Sequence, residues 1–569
     1  MGLTEDNAFS RRMQNDYSAH VYFFDYDLDS AKAAAALQLL SGRYEAVVIG
    51  MHNYARFPAR NFAISRPAAW LLHELQQKEK AVTFFFGNPY AIRNSCDAHT
   101  LIACYEDDSV TQTVAADLLN GKFMARGRLP VSVCDEWKAG AGIVPARALK
   151  DVSPSAVGLD SVKLEKIDAI ANEAVGQRAA PGCVVLVAKD GKIAYEKAFG
   201  YMTYDRKEPV YPETIYDMAS CTKICATTVS VMKLYDEGRL DLQKTLGDYL
   251  PWVKGSDKDT LRLWDILLHQ AGLVPDVVFY KEIVDTTKQQ DPFPGFFMPT
   301  PDSTHGVRVA DKMYLRNDWR DTMNLRIVQS HLLPRKYIYS DNDFIFLGMI
   351  VEAISGMTLD QYVKKTFYDP LGMTVAGFKP RQRFPLWRIA PTADEPIFRH
   401  QLIRGDVHDP GAAMFGGVAG HAGLFSDAYD LAVLEQMLLN GGSMNGITFF
   451  KPSTIQLFTG YHSDISRRGL GFDKPEKDNA HRKEPYPCLS ASPATFGHTG
   501  FTGTCVWVDP KYNLIFIFLS NRVNPIENNP RLSGLSIRGR IQETVYQAMG
   551  VDAGASAVAP VHGKKKKKK

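Results

Sequence analysis

The stretch from Tyr216 to Thr228 reads YDMASCTKICATT and places Ser220 three residues before Lys223. If Ser220 begins a helix, the two side chains lie one turn apart on the same helix face. A serine hydroxyl is a weak nucleophile that needs an adjacent base, and a lysine can serve if burial and neighbouring charge lower its pKa. The helix N-terminus would favour negative charge developing there. Since this spacing often arises by chance, the alternative is a helix-capping serine followed by a solvated lysine.

A second polar group stands in KYIYSDNDFIFLG (residues 336–348), where Tyr339, Ser340 and Asp341 precede an apolar helical run. A tyrosine close to a lysine ammonium is more easily deprotonated and could pass a proton to a leaving group. The alternative interpretation is a half-buried aromatic ring followed by an aspartate that caps the helix.

A third group stands in FGHTGFTGTCVWVDP (residues 496–510), where His498, Thr499 and Gly500 come just before a predicted edge strand. Gly500 would let a substrate backbone approach closely. The backbone N–H of Phe501 could pair with that of Ser220 to form an oxyanion hole. Alone, the stretch is equally a polar turn leading into a strand.

The composition is that of a folded globular protein of more than one domain. The chain has 569 residues, of which 45% are hydrophobic and 23% charged; most domains are shorter than about 250 residues. The net charge of +3 becomes −3 without the six lysines at 564–569, so the basic balance is not a nucleic-acid footprint. The lysine run is interpreted as an incidental or engineered tail, with a basic arm for an anionic surface as the alternative.

Several classes of protein are not expected. The eight cysteines contain no CxxC pair, which predicts small buried residues rather than a disulfide framework or a zinc site. The chain contains no stretch of 18 apolar residues, so no membrane span is expected, and we expect a soluble chain. The first twenty residues have no apolar core of a signal peptide and look like an interior position of a longer protein.

Residues 18–135 alternate short apolar runs with amphipathic stretches, which predicts a parallel sheet covered on both faces by helices. The predicted strands are residues 20–27, 44–52, 80–90 and 101–107, and the predicted helices are 28–40, 66–79 and 108–123. No glycine-rich phosphate loop follows a strand, so dinucleotide binding is not expected. Residues 136–155 are rich in Gly, Pro and Ala and indicate a linker.

A second unit opens with an amphipathic helix at 157–175 and a hairpin at 183–200 that turns at Asp190-Gly191. A late hairpin at 504–521 turns near Pro510, and a helix at 539–550 closes the unit. Strands at both ends with helices between them predict one antiparallel sheet assembled from both termini plus a helical part, an α+β arrangement.

The three polar groups, in this order, resemble the motifs of the serine β-lactamase and penicillin-binding protein superfamily. Flanking stretches are also similar to that superfamily: DILLHQAGL (265–273), FYDPLGM (367–373) and GGVAGHAGLFS (416–426). The closer likeness is to class C β-lactamases, D-Ala-D-Ala carboxypeptidases and related esterases, and it covers residues 157–550.

The resemblance implies a role for each matched residue. Ser220 would be the acylated nucleophile, Lys223 its base and Tyr339 an assistant in proton transfer. Asp341 stands where the family has an Asn that binds a substrate amide, and an ionised Asp cannot donate a hydrogen bond. His498 stands in place of a common Lys and is cationic only part of the time. With Thr499 and Gly500 these two residues would bind substrate, and the departures favour an esterase, amidase or peptidase over a strong β-lactamase.

Residues 87–90 (GNPY) and 101–133 are similar to the C-terminal α/β sandwich domain of glycoside hydrolase family 3, in its β-N-acetylglucosaminidase branch. The barrel that carries the nucleophile in that family is absent, so the likeness implies a scaffold rather than a glycosidase. We expect an α/β domain at 1–137, a linker at 138–156, a β-lactamase-like α+β domain at 157–552 and a disordered tail at 553–569. The association suggests a parent protein in the periplasm or cell envelope.

The resulting hypothesis is a serine hydrolase that forms an acyl-enzyme on an ester, amide or D-amino-acid peptide, with small-molecule or peptidoglycan-derived substrates. The alternatives are a non-catalytic binding or scaffold module and a fragment of a bifunctional β-N-acetylglucosaminidase. Neither cofactor, metal nor nucleic acid is expected, and the oligomeric state is open. His408, Asp409 and His421 are candidate metal ligands, but no HExxH-like spacing supports this, which favours structural or cleft-lining roles.

Overall fold

The computed structural model describes residues 1–77, 80–122, 125, 127, 129–142, 147–284 and 295–551. The chain divides into two compact units, residues 1–147 and 148–569. This division falls within the stretch 138–156 that the sequence predicts as a linker. The predicted tail at 553–569 lies outside the described residues.

The first unit contains a three-stranded parallel sheet with the strand order β1-β2-β3. Its elements are α1 (Ala8–Tyr17), α2 (Ser30–Leu40), β1 (Val47–Met51), α3 (Arg66–Gln76), β2 (Ala81–Phe85), β3 (Leu101–Ala103) and α4 (Ser109–Leu119). Side chains of Asp29, Ser65 and Asp108 cap α2, α3 and α4, since each accepts a backbone N–H of the first turn. The predicted parallel sheet and helices are therefore present.

The predicted strand at 20–27 is wrong, because its backbone groups bond outside any ladder. The carbonyl of Phe24 accepts from the N–H of Gly2 at 2.7 Å, and that of Tyr26 accepts from the N–H of Ser65 at 2.9 Å. The absence of a disulfide is also a wrong prediction, since Cys96 and Cys134 are joined. Of the remaining cysteines, all but Cys104 are buried, as expected.

The second unit is built on a six-stranded sheet with the strand order β16-β17-β18-β5-β6-β4. Its strands are β4 (Lys150–Asp151), β5 (Gly182–Lys189), β6 (Lys192–Gly200), β7 (Tyr216–Asp217), β8 (Phe297–Met298), β9 (Val307–Ala310), β10 (Met313–Leu315), β11 (Ala393–Glu395), β12 (Gln401–Ile403), β13 (Phe425–Ser426), β14 (Ser443–Met444), β15 (Ile447–Thr448), β16 (Phe496–Thr499), β17 (Cys505–Asp509) and β18 (Leu514–Ser520). The sheet joins the early hairpin to the late one, as predicted. It is mixed rather than purely antiparallel, because β4 runs parallel to β6.

The helices of the second unit cover the two faces of this sheet or belong to the helical part. They are α5 (Ser161–Leu164), α6 (Lys166–Gly176), α7 (Val229–Asp236), α8 (Leu246–Tyr249), α9 (Leu263–Leu267), α10 (Trp319–Gln329), α11 (Asp341–Ser355), α12 (Leu359–Val363), α13 (Asp369–Leu371), α14 (Pro410–Met414), α15 (Ala428–Leu439), α16 (Pro452–Thr459), α17 (Arg531–Gly534) and α18 (Ile537–Ala548). Alternate residues of β18 enter two different cores: Ile515 and Ile517 pack with the helical part, while Phe516 and Phe518 pack with α6 and α18.

Within the described part of the chain, no single helix is long and apolar enough to cross a membrane. The pair formed by residues 341–355 and 359–371, bent by 70°, passes that test only when both helices are taken together.

Candidate active site

Ser220 lies on a tight turn between a short strand and a helix. The chain leaves β7, forms a 3₁₀ turn over Ala219–Cys221 and continues as a π-helix over Lys223–Thr228 that leads into α7. Ala219 has a φ of +45°, which is uncommon for a residue with a side chain, and the buried carboxylate of Asp217 accepts its N–H at 2.9 Å. The predicted helical start at Ser220 is therefore present, and Ser220 is only partly buried there.

Lys223 and Tyr339 both reach the hydroxyl of Ser220. The Nζ atom of Lys223 donates to Ser220 Oγ at 3.0 Å, and the hydroxyl of Tyr339 donates to the same oxygen at 2.9 Å. Tyr339 lies 119 positions after Ser220 in the chain, so it is the fold that brings the first two predicted motifs together. This arrangement places two proton-carrying groups within hydrogen-bond distance of one nucleophile.

Lys223 is fully buried, and its three donors are all used. Besides Ser220 it donates to Asp341 Oδ1 at 2.6 Å and to the backbone carbonyl of His421 at 3.2 Å. Burial disfavours the ammonium form, but the charges of Asp341 and Tyr339 outweigh burial and raise the pKa of Lys223 above its usual value. The sequence-based condition for a lysine base, a lowered pKa, is not met in this structure.

Asp341 is the first residue of α11 and follows Ser340, which is the N-cap residue. Its carboxylate points to Lys223, and its side chain keeps 28% of its surface exposed. One face of Asp341 therefore forms an ion pair while part of it faces solvent. An Asn in this place would leave Lys223 without a countercharge.

Charged and aromatic groups surround Tyr339, which is half-buried. The Nζ atom of Lys223 lies 5.0 Å from the centre of its ring and the guanidinium carbon of Arg468 lies 5.4 Å from it. The ring of His269 packs at 4.7 Å and that of His498 at 6.0 Å. Burial raises the pKa of Tyr339, while the cations Lys223 and Arg468 act in the opposite direction.

His498 lies in β16 and is buried, so it does not present a charge to the cleft. Its Nδ1 lies 2.7 Å from the carbonyl of Thr499, which can only accept, so Nδ1 carries the proton. Its Nε2 lies 3.2 Å from Nη2 of Arg468 and therefore accepts. Burial, reinforced by Arg468, lowers the pKa of His498 to about 3. A positive charge does stand beside His498, on the guanidinium of Arg468.

Gly500 allows β16 to approach the turn of Ser220. A Cβ atom at Gly500 would lie 2.2 Å from Thr504 Oγ1 and 2.5 Å from the carbonyl of Met218. The sequence predicted that Gly500 lets a substrate backbone approach closely. In the structure, the backbone that comes close to Gly500 is the protein's own, at Met218. Thr499 is partly exposed at the end of the strand.

The predicted oxyanion-hole groups make no hydrogen bond among the described residues. The backbone N–H groups of Ser220 and Phe501 donate no hydrogen bond to any residue that the structure describes. The side chain of Phe501 is 46% exposed and stacks on His408, with ring centres 5.8 Å apart.

The sequence does not predict a role in the site for three groups near Ser220. Arg468 lies 30 residues before His498 and carries no spacing signal. His269 and Asp343 form a buried pair, with Nδ1 and Oδ2 2.7 Å apart, behind Tyr339. The stretch DILLHQAGL carries His269, but its likeness to the family did not indicate contact with the tyrosine. Asp217 is the third group, and mainly because of burial its pKa is raised to about 6.

The candidate metal ligands bond to other groups of the protein. His421 Nε2 lies 2.9 Å from Asp409 Oδ1, and the backbone N–H of His408 donates to Asp217 at 2.7 Å. Within the described ranges, the one group of His, Cys, Asp and Glu side chains close enough to share a metal ion is Cys96, Cys134 and Glu136, and its two cysteines form the disulfide.

Comparison with known proteins assigns this chain to a family. The sequence model of the family described as "Beta-lactamase" matches residues 167–535. A protein of Salmonella paratyphi A and one of Salmonella schwarzengrund, both named "Putative D-alanyl-D-alanine carboxypeptidase", are each 34% identical over 425 residues, covering 70% of this chain and 92% of the relative. A penicillin-binding protein homologue from Caulobacter crescentus aligns with a TM-score of 0.48 at 20% identity, covering 69% of this chain and 99% of that structure. The chain therefore belongs to the beta-lactamase family and is a serine hydrolase.

Proposed function

We propose that this chain hydrolyses small esters or D-amino-acid peptides through an acyl-enzyme on Ser220. The observation that carries the proposal is the double contact of Ser220 Oγ, at 3.0 Å from Lys223 Nζ and 2.9 Å from the hydroxyl of Tyr339. The relatives named as D-alanyl-D-alanine carboxypeptidases support the peptide class. A peptidoglycan-derived substrate and a site in the periplasm or cell envelope belong to the same proposal.

In the proposed reaction, Tyr339 takes the proton of Ser220. Lys223 is held as an ammonium by Asp341, so its role is to stabilise the phenolate form of Tyr339 and to hold Ser220 Oγ. As the Ser220 oxygen bonds to the substrate carbonyl, its proton moves to Tyr339. The carbonyl oxygen becomes an anion held by the N–H groups of Ser220 and Phe501. Tyr339 then gives the proton to the leaving group as the carbonyl bond to that group breaks, and water releases the acid.

The substrate contacts follow from exposure. Thr499, Phe501 and the exposed part of Asp341 are the proposed contacts, whereas His498 has both ring nitrogens engaged. Gly500 is proposed to act by letting β16 approach Ser220. His498 therefore supports the site from within rather than by binding a carboxylate.

For residues 1–137 we propose a domain of the glycoside hydrolase family 3 C-terminal kind, acting as a scaffold. The parallel order β1-β2-β3 and the capped helices α2, α3 and α4 support this assignment. The residues of the proposed reaction all come from the second unit, between 217 and 501, so the scaffold supplies none of its chemistry.

The test is intact-mass spectrometry after incubation with a fluorophosphonate, for the native chain and for Ser220→Ala. We expect one adduct on the native chain and none on the variant, because the reagent labels only an activated serine. A panel of a p-nitrophenyl ester, a D-Ala-D-Ala peptide and a chromogenic cephalosporin then ranks the substrate classes. An adduct retained in Ser220→Ala, or turnover retained by it, would contradict the proposal.

A further inference from the structure

The side chain of Arg468 is buried beside the proposed proton acceptor without a carboxylate of its own. Arg468 is 1% exposed, and its Nη2 donates to His498 Nε2 at 3.2 Å. Its charged partner is Asp473, whose Oδ1 lies 3.6 Å from Nη1, an ion pair without a hydrogen bond. That carboxylate is already bound by the neighbouring Arg467, at 2.7 and 3.1 Å. In the described structure, Nε and Nη1 of Arg468 have no hydrogen-bond partner.

Such an arrangement is costly for the fold. The side chain of an arginine is a cation with five N–H donors. Burying a cation whose N–H donors are only partly hydrogen-bonded is unfavourable for folding. A side chain that only filled space here would be better apolar. The positive charge of Arg468 is therefore the property that calls for a functional explanation.

We propose that Arg468 is a positioning residue for the reaction at Ser220, whose fixed positive charge favours the ionised form of Tyr339. The proposal rests on the role given to Tyr339 above. In a buried site a charge about 5 Å from a phenol acts through a low effective dielectric, so its influence is far larger than in water. Because His498 is neutral and accepts the Arg468 hydrogen bond, it relays no opposing charge.

The groups that face Tyr339 from every side define what Arg468 can change. Lys223 and Arg468 favour the phenolate; Asp341 and burial oppose it. The rings of His269 and His498 pack against Tyr339, and burial keeps both neutral by lowering their pKa values. Asp343, paired with His269, is kept neutral because burial raises its pKa well above the usual value. Removing Arg468 leaves Lys223 to oppose Asp341, and it leaves Asp473 with Arg467 as its partner.

The experiment is the pH dependence of kcat/KM for Arg468→Met, Arg468→Lys and the native chain, with a p-nitrophenyl ester. The ascending limb reports formation of the phenolate. We expect Arg468→Met to move that limb up by about one pH unit or more, which is about a tenfold loss well below the limb and a smaller loss above it. Arg468→Lys keeps the charge, so its ascending limb should lie within a few tenths of a pH unit of the native one.

The control is Arg404→Met, which removes a mostly buried arginine bound to Glu208 and to the carbonyl of Ile389, away from Tyr339. Its limb should stay in place. If Arg468→Met does not fold, Arg468→Gln, which keeps a donor for His498 but no charge, makes the same comparison. An unshifted limb with an equal loss at every pH would overturn the role of Arg468, while fluorophosphonate labelling of Ser220 would still stand for the proposed function.

Discussion

At the scale of single residues, the distinctive feature of this site is the ion pair between Lys223 and Asp341. An amide at position 341 would leave the buried Lys223 governed by desolvation, which favours a neutral amine. The carboxylate instead holds the ammonium with a 2.6 Å hydrogen bond. In the proposed reaction this ion pair leaves Tyr339, rather than Lys223, to accept the proton. Arg468 and Asp341 then act on Tyr339 with opposite signs.

This opposition predicts the outcome of Asp341→Asn. Removing the negative charge takes away the effect that raises the pKa of Lys223 and one that raises the pKa of Tyr339. Both groups then lose a proton more readily, so the ascending limb of kcat/KM should move to lower pH, opposite to the shift expected for Arg468→Met. The pH profile with a p-nitrophenyl ester measures this directly. A limb that moves up, or an unchanged one, would refute the assigned countercharge.

At the scale of elements, the site depends on how closely β16 approaches the turn that carries Ser220. Gly500→Ala would place a methyl group 2.2 Å from Thr504 Oγ1 and 2.5 Å from the carbonyl of Met218. The strand end must retreat, which separates Phe501 from Ser220. We expect a loss of about 10²-fold or more in kcat/KM and a lower unfolding temperature. Gly176→Ala, which meets no atom within 4 Å, is the matched control and should change neither quantity; equal behaviour of the two variants would contradict the close-approach argument.

The elements also show how far the sequence predicts the fold. Local signals sufficed for the hairpin at Asp190-Gly191, where both residues have positive φ, and for the late hairpin, because turn chemistry is local. The apolar run at 20–27 lacked such a constraint, and its carbonyls bond to Gly2 and Ser65 instead. The parallel pairing of β4 could not be predicted, since two residues carry no periodicity.

The candidate site, like the fold, could be predicted only where the sequence carries a local pattern. The three motifs predicted which residues meet, because each carries a family pattern, but not their protonation. That depends on Arg468 and on the ion pair at Asp341, which join positions far apart in the chain. The sequence left His498 cationic only part of the time at a substrate-binding position; in the structure burial, reinforced by Arg468, lowers its pKa to about 3, which no local pattern could indicate.

At the scale of the whole molecule, one buried carboxyl group makes the stability of the helical core depend on pH. Glu435 in α15 is fully buried, and the thiol of Cys225 contacts its Oε1 at 3.7 Å, while Oε2 has no partner in the described structure. Cys225 belongs to the π-helix that follows Lys223. Burial raises the pKa of Glu435 to about 8 from its ordinary value of 4.5. The folded second unit therefore keeps this proton through a pH range in which the unfolded chain has lost it.

The sign of the effect follows from that difference. A carboxyl group whose folded pKa lies above its unfolded value supports the fold fully below pH 4.5, and this support is lost as the pH rises to about 8. At about 1.4 kcal/mol for each unit of pKa difference, the loss in the free energy of unfolding amounts to several kcal/mol. Glu435→Gln does not titrate, so between pH 5 and pH 8.5 its stability should fall by several kcal/mol less than that of the native chain. Urea unfolding at both pH values measures the difference, and Glu165→Gln at an exposed site should keep the native dependence. If Glu435→Gln lost as much stability as the native chain over this range, the proton would not reside on Glu435.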